Sequence, residues 1–137
     1  MDYSNIFAIS AGGMTLERTR VEVAALNLAN ANTVAAPGTT PYRSLRVLAQ
    51  ATFGDAVSQG LAAATVQVEP TQQEPRMVYE PAHPMANPQG FVTYAGVDTV
   101  TEMVTLMSAT RSYEANVAAM NSTRNLALKA LDIGGNS

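Results

Sequence analysis

The chain has 137 residues, enough for one domain or one elongated subunit, and a net charge of −3. That acidic balance leaves no basic footprint for nucleic acid. The absence of Cys removes disulfides, thiolate metal sites and cysteine nucleophiles. Hydrophobic residues make up 47% but aromatics only 6%, with no Trp, so the apolar content is mostly Ala, Val, Leu and Met. Such side chains suit helix-against-helix seams better than a core built on large rings. Only 14% of residues are charged, against roughly 25% in ordinary soluble domains. The neutral surface this leaves favours self-association.

The start, Met1-Asp2-Tyr3-Ser4-Asn5, has no basic n-region and no cleavage site after an apolar run. A cleaved secretory signal is not expected, and export would need another route. No run approaches 18 apolar residues, so no direct membrane insertion is expected.

Residues 6–32, from Ile6 to Asn32, contain no Pro and predict a long helix. Phe7, Met14, Val21 and Leu28 recur every seven residues, and Ala11, Arg18, Ala25 and Asn32 fill the alternate positions. A second apolar line, Ile9, Leu16 and Val23, lies on nearly the opposite face. One partner helix covers only one face, so the two lines predict a helix held between its own partner and a neighbouring subunit. Gly12-Gly13 predicts either fraying before Met14 or a close neighbour there.

Residues 33–97 hold all seven prolines and most turn signals. Partial alternation predicts strands over 42–48 and 61–68, with an Ala-rich loop over 49–65. Arg76–Tyr79 and Phe91–Tyr94 are two further short strands, bracketing Glu80-Pro81-Ala82-His83-Pro84 and Asn87-Pro88-Gln89-Gly90.

Residues 99–131, from Thr99 to Leu131, lack both Pro and Gly and predict a second long helix. Met103, Leu106, Thr110, Tyr113, Val117, Met120, Arg124, Ala127 and Leu131 alternate at spacings of three and four, a heptad stripe. Asp98 and a capping-box pattern of Thr99 with Glu102 mark its start, and Gly134-Gly135 its end. The fold class is therefore mainly α with a small β region. The terminal helices form an antiparallel coiled-coil hairpin (1–33 with 98–137), and 34–97 form the β and loop segment between them. The intra-subunit seam is expected at Phe7, Met14, Val21, Leu28, Met103, Leu106, Tyr113, Val117, Met120 and Leu131, in a register that sets Phe7 near Leu131 and Ala25 opposite Tyr113. Ile9, Leu16, Val23, Arg18 and Arg124 are the inter-subunit candidates. The two arginines either snorkel at the seam edge or fix register by pairing with a neighbour's carboxylate.

Chemistry is sparse. His83 is the sole histidine and stands between prolines, with Glu80 three residues before it, so no second imidazole or thiolate completes a metal site. Glu17, Glu22, Glu102 and Glu114 are scattered over helix faces. Ser10 lacks the nucleophile-elbow context, and Gly12-Gly13 lacks the later Lys of a phosphate loop. The reading is not an enzyme, with no cofactor, no metal and no catalytic residue. A cytosolic coiled-coil adaptor would explain the helices but not the Pro-rich middle.

Leu28-Ala29-Asn30-Ala31-Asn32-Thr33, followed by Pro41-Tyr42-Arg43, resembles the N-terminal signature of flagellar rod and hook proteins, as do Ile6 to Ala11 and Gly13-Met14. Val78 to Pro84, Gly90-Phe91-Val92, Val97-Asp98 with Glu102-Met103, Ala109 to Asn116 and Ala130 to Gly134 are similar to the proximal rod class of that family. The positions carrying the signature are Asn30, Asn32, Thr33, Tyr42, Glu80, His83, Pro84, Glu102, Tyr113 and Asn116. The resemblance implies a subunit of the rod that crosses the periplasm as a drive shaft. It also implies assembly with itself and other rod proteins, and passage unprocessed through the flagellar type III export apparatus. Related chains often carry Pro-Asn where Ala95-Gly96 stands here, which predicts a looser lead into the second helix. Because one hairpin cannot bury every stripe, the terminal helices are expected to order on assembly.

Overall fold

The computed structural model describes residues 3–51 and 64–135. In chain order they form α1 (Tyr3–Asn30), β1 (Val34–Ala35), β2 (Leu45–Ala51), β3 (Ala64–Pro70), β4 (Arg76–Tyr79), β5 (Phe91–Tyr94) and α2 (Thr99–Gly135). The fold is thus two long helices with small antiparallel sheets between them.

Helix α1 runs unbroken through Gly12-Gly13, because α2 packs close there: a Cβ on Gly13 would lie 2.9 Å from Asn116 Nδ2. It ends where Asn30 O accepts both the Thr33 N–H (3.1 Å) and the Thr33 Oγ1–H (2.7 Å), closing the last turn. At the head of α2 the cap is Asp98 alone. Its Oδ1 accepts the N–H groups of Val100 (3.1 Å) and Thr101 (3.4 Å), and its Oδ2 accepts the Thr101 hydroxyl (2.8 Å). The expected Thr99–Glu102 box is not what closes this end, since the cap sits one residue earlier and Glu102 donates its N–H to Asp98 O (3.0 Å). At the other end α2 continues through Gly134 instead of stopping before it.

The two helices run in opposite senses. Arg20, Val23 and Ala24 lie by Glu102 and Thr105, Arg18 and Val21 by Thr110 and Tyr113, and Gly13 by Asn116. The register differs from the expected one, which would set Gly13 against Asn125. It is slid by about two and a half turns, so the last turns of α2 extend past the start of α1.

Between the helices, β1, β5 and β4 make a three-stranded antiparallel sheet with β5 central, and β2 pairs with β3 as a separate hairpin. Arg76–Tyr79 and Phe91–Tyr94 are strands as read. The hairpin strands lie a few residues later than read. Residues 49–51 and 64–65 of the expected loop are strand, and the remainder lies outside the described residues.

Gly96 is where the parts meet. It bridges to Arg43, and a Cβ there would fall 2.5 Å from Glu74 O and 2.9 Å from Gln73 O. Ala95 and Gly96 are buried, and the Ala95 N–H bonds Thr33 O at 3.1 Å. The expected looseness before α2 is therefore replaced by a tight crossing that only Gly fits.

Among the described residues the buried apolar set is Ala24, Ala31, Val92, Ala95 and Ala109. Val92 on the central strand is the only one larger than Ala. Gly96→Ala forces backbone against backbone and is expected to lower the free energy of urea unfolding by about 1–3 kcal/mol. Gly12→Ala, with open space around the new methyl, should raise it by about 1 kcal/mol. Tyrosine emission reports both, the chain having no Trp.

Candidate assembly surface

The most deeply buried positions of the helix pair carry small and polar side chains. On α1 the buried positions are Ser10, Glu17, Ala24 and Asn27, continued past the helix end by Ala31, with Gly13 in the same line. Their spacings of three and four put them on one face. Facing them on α2 are Ala109, which is buried, and half-buried Glu102, Thr105, Ser112, Asn116, Thr123 and Ala127. Glu17 accepts from Arg20 Nη1 at 3.3 Å within its own helix.

This line runs one residue before the expected alternate positions Ala11, Arg18, Ala25 and Asn32, and shares a face of α1 with Phe7, Met14, Val21 and Leu28, each three residues earlier. Phe7, Met14, Val21, Leu28, Leu106, Val117 and Met120 are half-buried, like the polar positions of α2 just named. Met103, Tyr113 and Leu131, expected on the seam, are exposed, as are Ala11, Ala25, Asn32 and Thr110. Leu131 is 71% exposed because the slid register leaves no part of α1 opposite it.

The candidates for contact between subunits separate. Ile9 is exposed and Leu16 half-buried. Val23 lines a cleft of about 200 Å³ with Leu45 and Val47 of β2, so its own hairpin covers part of it. Arg18 lies off the seam in an exposed ion pair with Glu22 at 2.9 Å on the same helix, and Arg124 is exposed.

Outward-facing apolar side chains instead form groups. Val100, Met103, Val104 and Met107 cover the outer face of the first turns of α2. Leu126, Leu128, Leu131 and Ile133 are exposed on two opposed faces of its far end. Ile6 and Ile9 stand at the start of α1. No helix is long and apolar enough to cross a membrane among the described residues.

What fixes the middle segment to the helices is Asn27, fully buried and absent from the sequence-based list. Its Oδ1 accepts the Leu45 N–H (2.8 Å) and the Tyr42 hydroxyl (2.9 Å), while its Nδ2 donates to Leu45 O (2.8 Å). Burial, and then the charge of Glu102, raise the Tyr42 pKa, so the phenol stays a neutral donor. The signal for Asn27 was available: it continues the Ala24 and Ala31 line at helical spacing.

The other signature positions are mostly structural. Asn30 Nδ2 donates to Leu26 O (2.9 Å), and Asn32 and Pro84 are exposed in turns. Glu80 Oε2 accepts the hydroxyl of Tyr94 on β5 (3.2 Å), and His83 Nδ1 accepts the Met85 N–H within its own turn (3.1 Å). Glu102 lines the cleft at Leu45, and Tyr113 a shallow groove with Arg18 and Val21. No group of three or more His, Asp and Glu side chains is placed to hold a metal among the described residues.

Residues 7–36 match the model of the flagella basal body rod protein, and residues 89–133 match that of the flagellar basal body rod FlgEFG protein C-terminal region. A flagellar basal-body rod protein FlgC of Escherichia coli O6:H1 is 40% identical over 130 residues, covering 95% of this chain and 96% of its own length. The chain belongs to the FlgC family of flagellar basal-body rod proteins. The FlgC of Bacillus subtilis is 39% identical over 141 residues (92% and 94% of the two chains), and that of Aquifex aeolicus 33% over 128 residues (92% of each). The two matched regions of this FlgC-family chain contain most of α1 and of α2, the elements that carry the exposed apolar groups.

Asn27→Ala leaves the Leu45 N–H and C=O without their partners and is expected to cost about 2–3 kcal/mol in urea unfolding, Tyr42→Phe about 1 kcal/mol. Hydrogen bonds from the Thr101 side chain and backbone, and then from Val100, hold the Asp98 carboxyl below its ordinary value of 3.8. A depressed acid stabilises the fold above its unfolded value and loses that contribution as pH falls through the folded one. Amide protection in the first turn of α2 should therefore fall below about pH 4, and Asp98→Ala should remove that dependence.

Proposed function

We propose that this chain is a structural, non-catalytic subunit of the flagellar proximal rod, polymerising through its terminal helices to carry torque across the periplasm. The single observation behind this is the inverted arrangement of the helix pair. The most deeply buried positions of the pair are small or polar, while the Val, Met, Leu and Ile side chains near both ends of α2 and at the start of α1 are exposed. An exposed apolar helix surface on this scale is unfavourable in a lone subunit and favourable between subunits. The far end of α2, with exposed apolar side chains on two opposed faces, offers contacts to neighbours on more than one side.

Torque transmission requires broad lateral contacts and long elements along the axis, and heterologous contacts repeated about an axis supply continued growth. The three-and-four spacing of the seam supports a coiled-coil pairing of residues 1–33 with 98–137, with 34–97 as a separate β segment docked through Asn27. The outward-facing residues, Ile9, Arg124 and the exposed groups of α2 among them, meet copies of the chain and other rod proteins. Family membership supports export without a cleaved signal through the flagellar type III apparatus. The engagement of His83 and Glu80 in hydrogen bonds within the β segment supports a structural over an enzymatic role.

Quantitative mass spectrometry of purified hook–basal bodies from the source bacterium tests the reading. Its peptides at a fixed low stoichiometry beside other rod proteins are the expected result; absence from basal bodies with abundance in cytosol overturns it. Order on assembly has its own test. In dilute chain, amides at the start of α1 and the end of α2 should exchange fast while those around Asn27 stay protected. Strong cooperative protection to both helix ends would rule that out.

A further inference from the structure

Two of the strand edges left without a partner strand among the described residues, those of β3 and β4, match each other. In an antiparallel ladder the residues alternate between pointing their N–H and C=O at the partner strand and away from it. Thr71 donates its N–H to Ser44 O at 2.7 Å, continuing the β2–β3 register, so the bonded pairs are Arg46 with Glu69 and Leu48 with Gln67. Leu45 on β2, and Val66 and Val68 on β3, therefore turn their backbone groups outward. Those of Leu45 are taken by Asn27, which closes the β2 edge against α1. Nothing pairs the β3 edge among the described residues.

The same reasoning applies to β4. Glu80 donates its N–H to Gly90 O at 2.9 Å, so the bonded pairs with β5 are Val78 with Val92 and Arg76 with Tyr94. Met77 and Tyr79 thus point their N–H and C=O away from β5, at the open edge of the three-stranded sheet. Both side chains are exposed, and Tyr79 packs edge-on against Phe91 with ring centroids 5.3 Å apart.

We propose that β4 of one copy pairs antiparallel with β3 of a second copy, Met77 opposite Val68 and Tyr79 opposite Val66, joining the two small sheets into one across the subunit boundary. This rests on the reading of the chain as a polymerising subunit. In that register all four outward N–H groups meet outward carbonyls. Pro75 falls opposite Pro70 and Pro81 opposite Ala64, so prolines that lack an N–H end the ladder on both sides. On one face Met77 and Tyr79 meet Val68 and Val66. On the other, Arg76 falls opposite Glu69. Arg76 already stacks over Tyr94 (5.0 Å to the ring centre), and Glu69 already faces Arg46 (3.7 Å). The junction aligns them as one row, Arg46, Glu69, Arg76, Tyr94, with charges alternating in sign.

A two-fold pairing of β4 with β4 is the competing geometry. It sets Arg76 against Glu80, whose carboxylate already holds the Tyr94 hydroxyl, and it closes into a dimer. The β4–β3 junction uses two different edges and so continues from copy to copy.

The chain has no Cys, so introduced thiols report alone. Val68→Cys and Met77→Cys, at exposed sites, are expressed singly and together as full-length chains, and basal bodies are treated with a short thiol-to-thiol cross-linker. Joint expression should give a cross-linked dimer containing one of each, and each single variant none. Glu69→Arg and Arg76→Glu should each lower that yield about two- to fivefold, and combining them should restore it. Cross-linking of Met77→Cys alone establishes the two-fold pairing and overturns the proposal. So does no cross-link in basal bodies that contain both variants. If the wild-type chain is itself absent from basal bodies, the rod reading fails instead, and the two failures are thereby distinguished. If the Cys variants fail to incorporate, the yield of the charge-reversed chains in basal bodies decides: full incorporation of both single reversals overturns the junction.

Discussion

The side-chain amide of Asn27 occupies the place a neighbouring strand would occupy. One oxygen and one nitrogen satisfy the N–H and C=O that Leu45 turns away from its hairpin, and the same oxygen takes the hydroxyl of Tyr42. A helix cannot normally close a strand edge, because its own backbone groups are used internally. An amide side chain, with a donor and an acceptor a peptide's width apart, does so. This contact docks the β segment at one end of the same line of α1 positions that faces α2. The larger apolar side chains of the helices are at best half-buried within the subunit, and many are exposed.

The chain is thus poor in the usual source of stability. Four of the five buried apolar residues among those described are alanines, so large side chains contribute little to a core. Specific polar contacts take a larger part: the Asn27 cluster, the Asp98 cap, the crossing at Gly96, and the turn of residues 80–91. In that turn Asn87 Oδ1 accepts the N–H groups of Gln89 (3.0 Å) and Phe91 (2.9 Å). These fix geometry more than they add burial. An assembly protein gains from that division, since its large apolar groups remain available to neighbours.

Much of this was legible in the residues. The absence of Pro from both ends gave the helices to within a few positions, and the proline-flanked runs gave β4 and β5. The side of the seam was not legible, because the periodicity of large apolar residues marks what must be buried without saying by whom. Met103 and Leu131 fit a heptad and face outward; Ser10, Glu17 and Asn27 look like a solvated line and face inward. Register was hidden for the same reason, since it is set by the approach of Gly13 to Asn116 and by the docking of Leu45, neither of which has a local signal. Gly96 reads as slack in a sequence and is a contact in three dimensions, because the segment that crosses it is more than twenty residues away in the chain.

That crossing also bears on how the molecule deforms under load. The end of α1 passes through Thr33 into β1, β1 lies beside β5, and β5 leads through Ala95 and Gly96 into α2, with the Ala95 N–H bonded back to Thr33 O at 3.1 Å. Both helices are therefore mounted on one stiff plate by links only a few residues long. A twist applied to either helix reaches the other through that plate with little lost motion. Compliance then resides in the opposite ends of the helices, near Tyr3 and Gly135, which lie farthest from that plate.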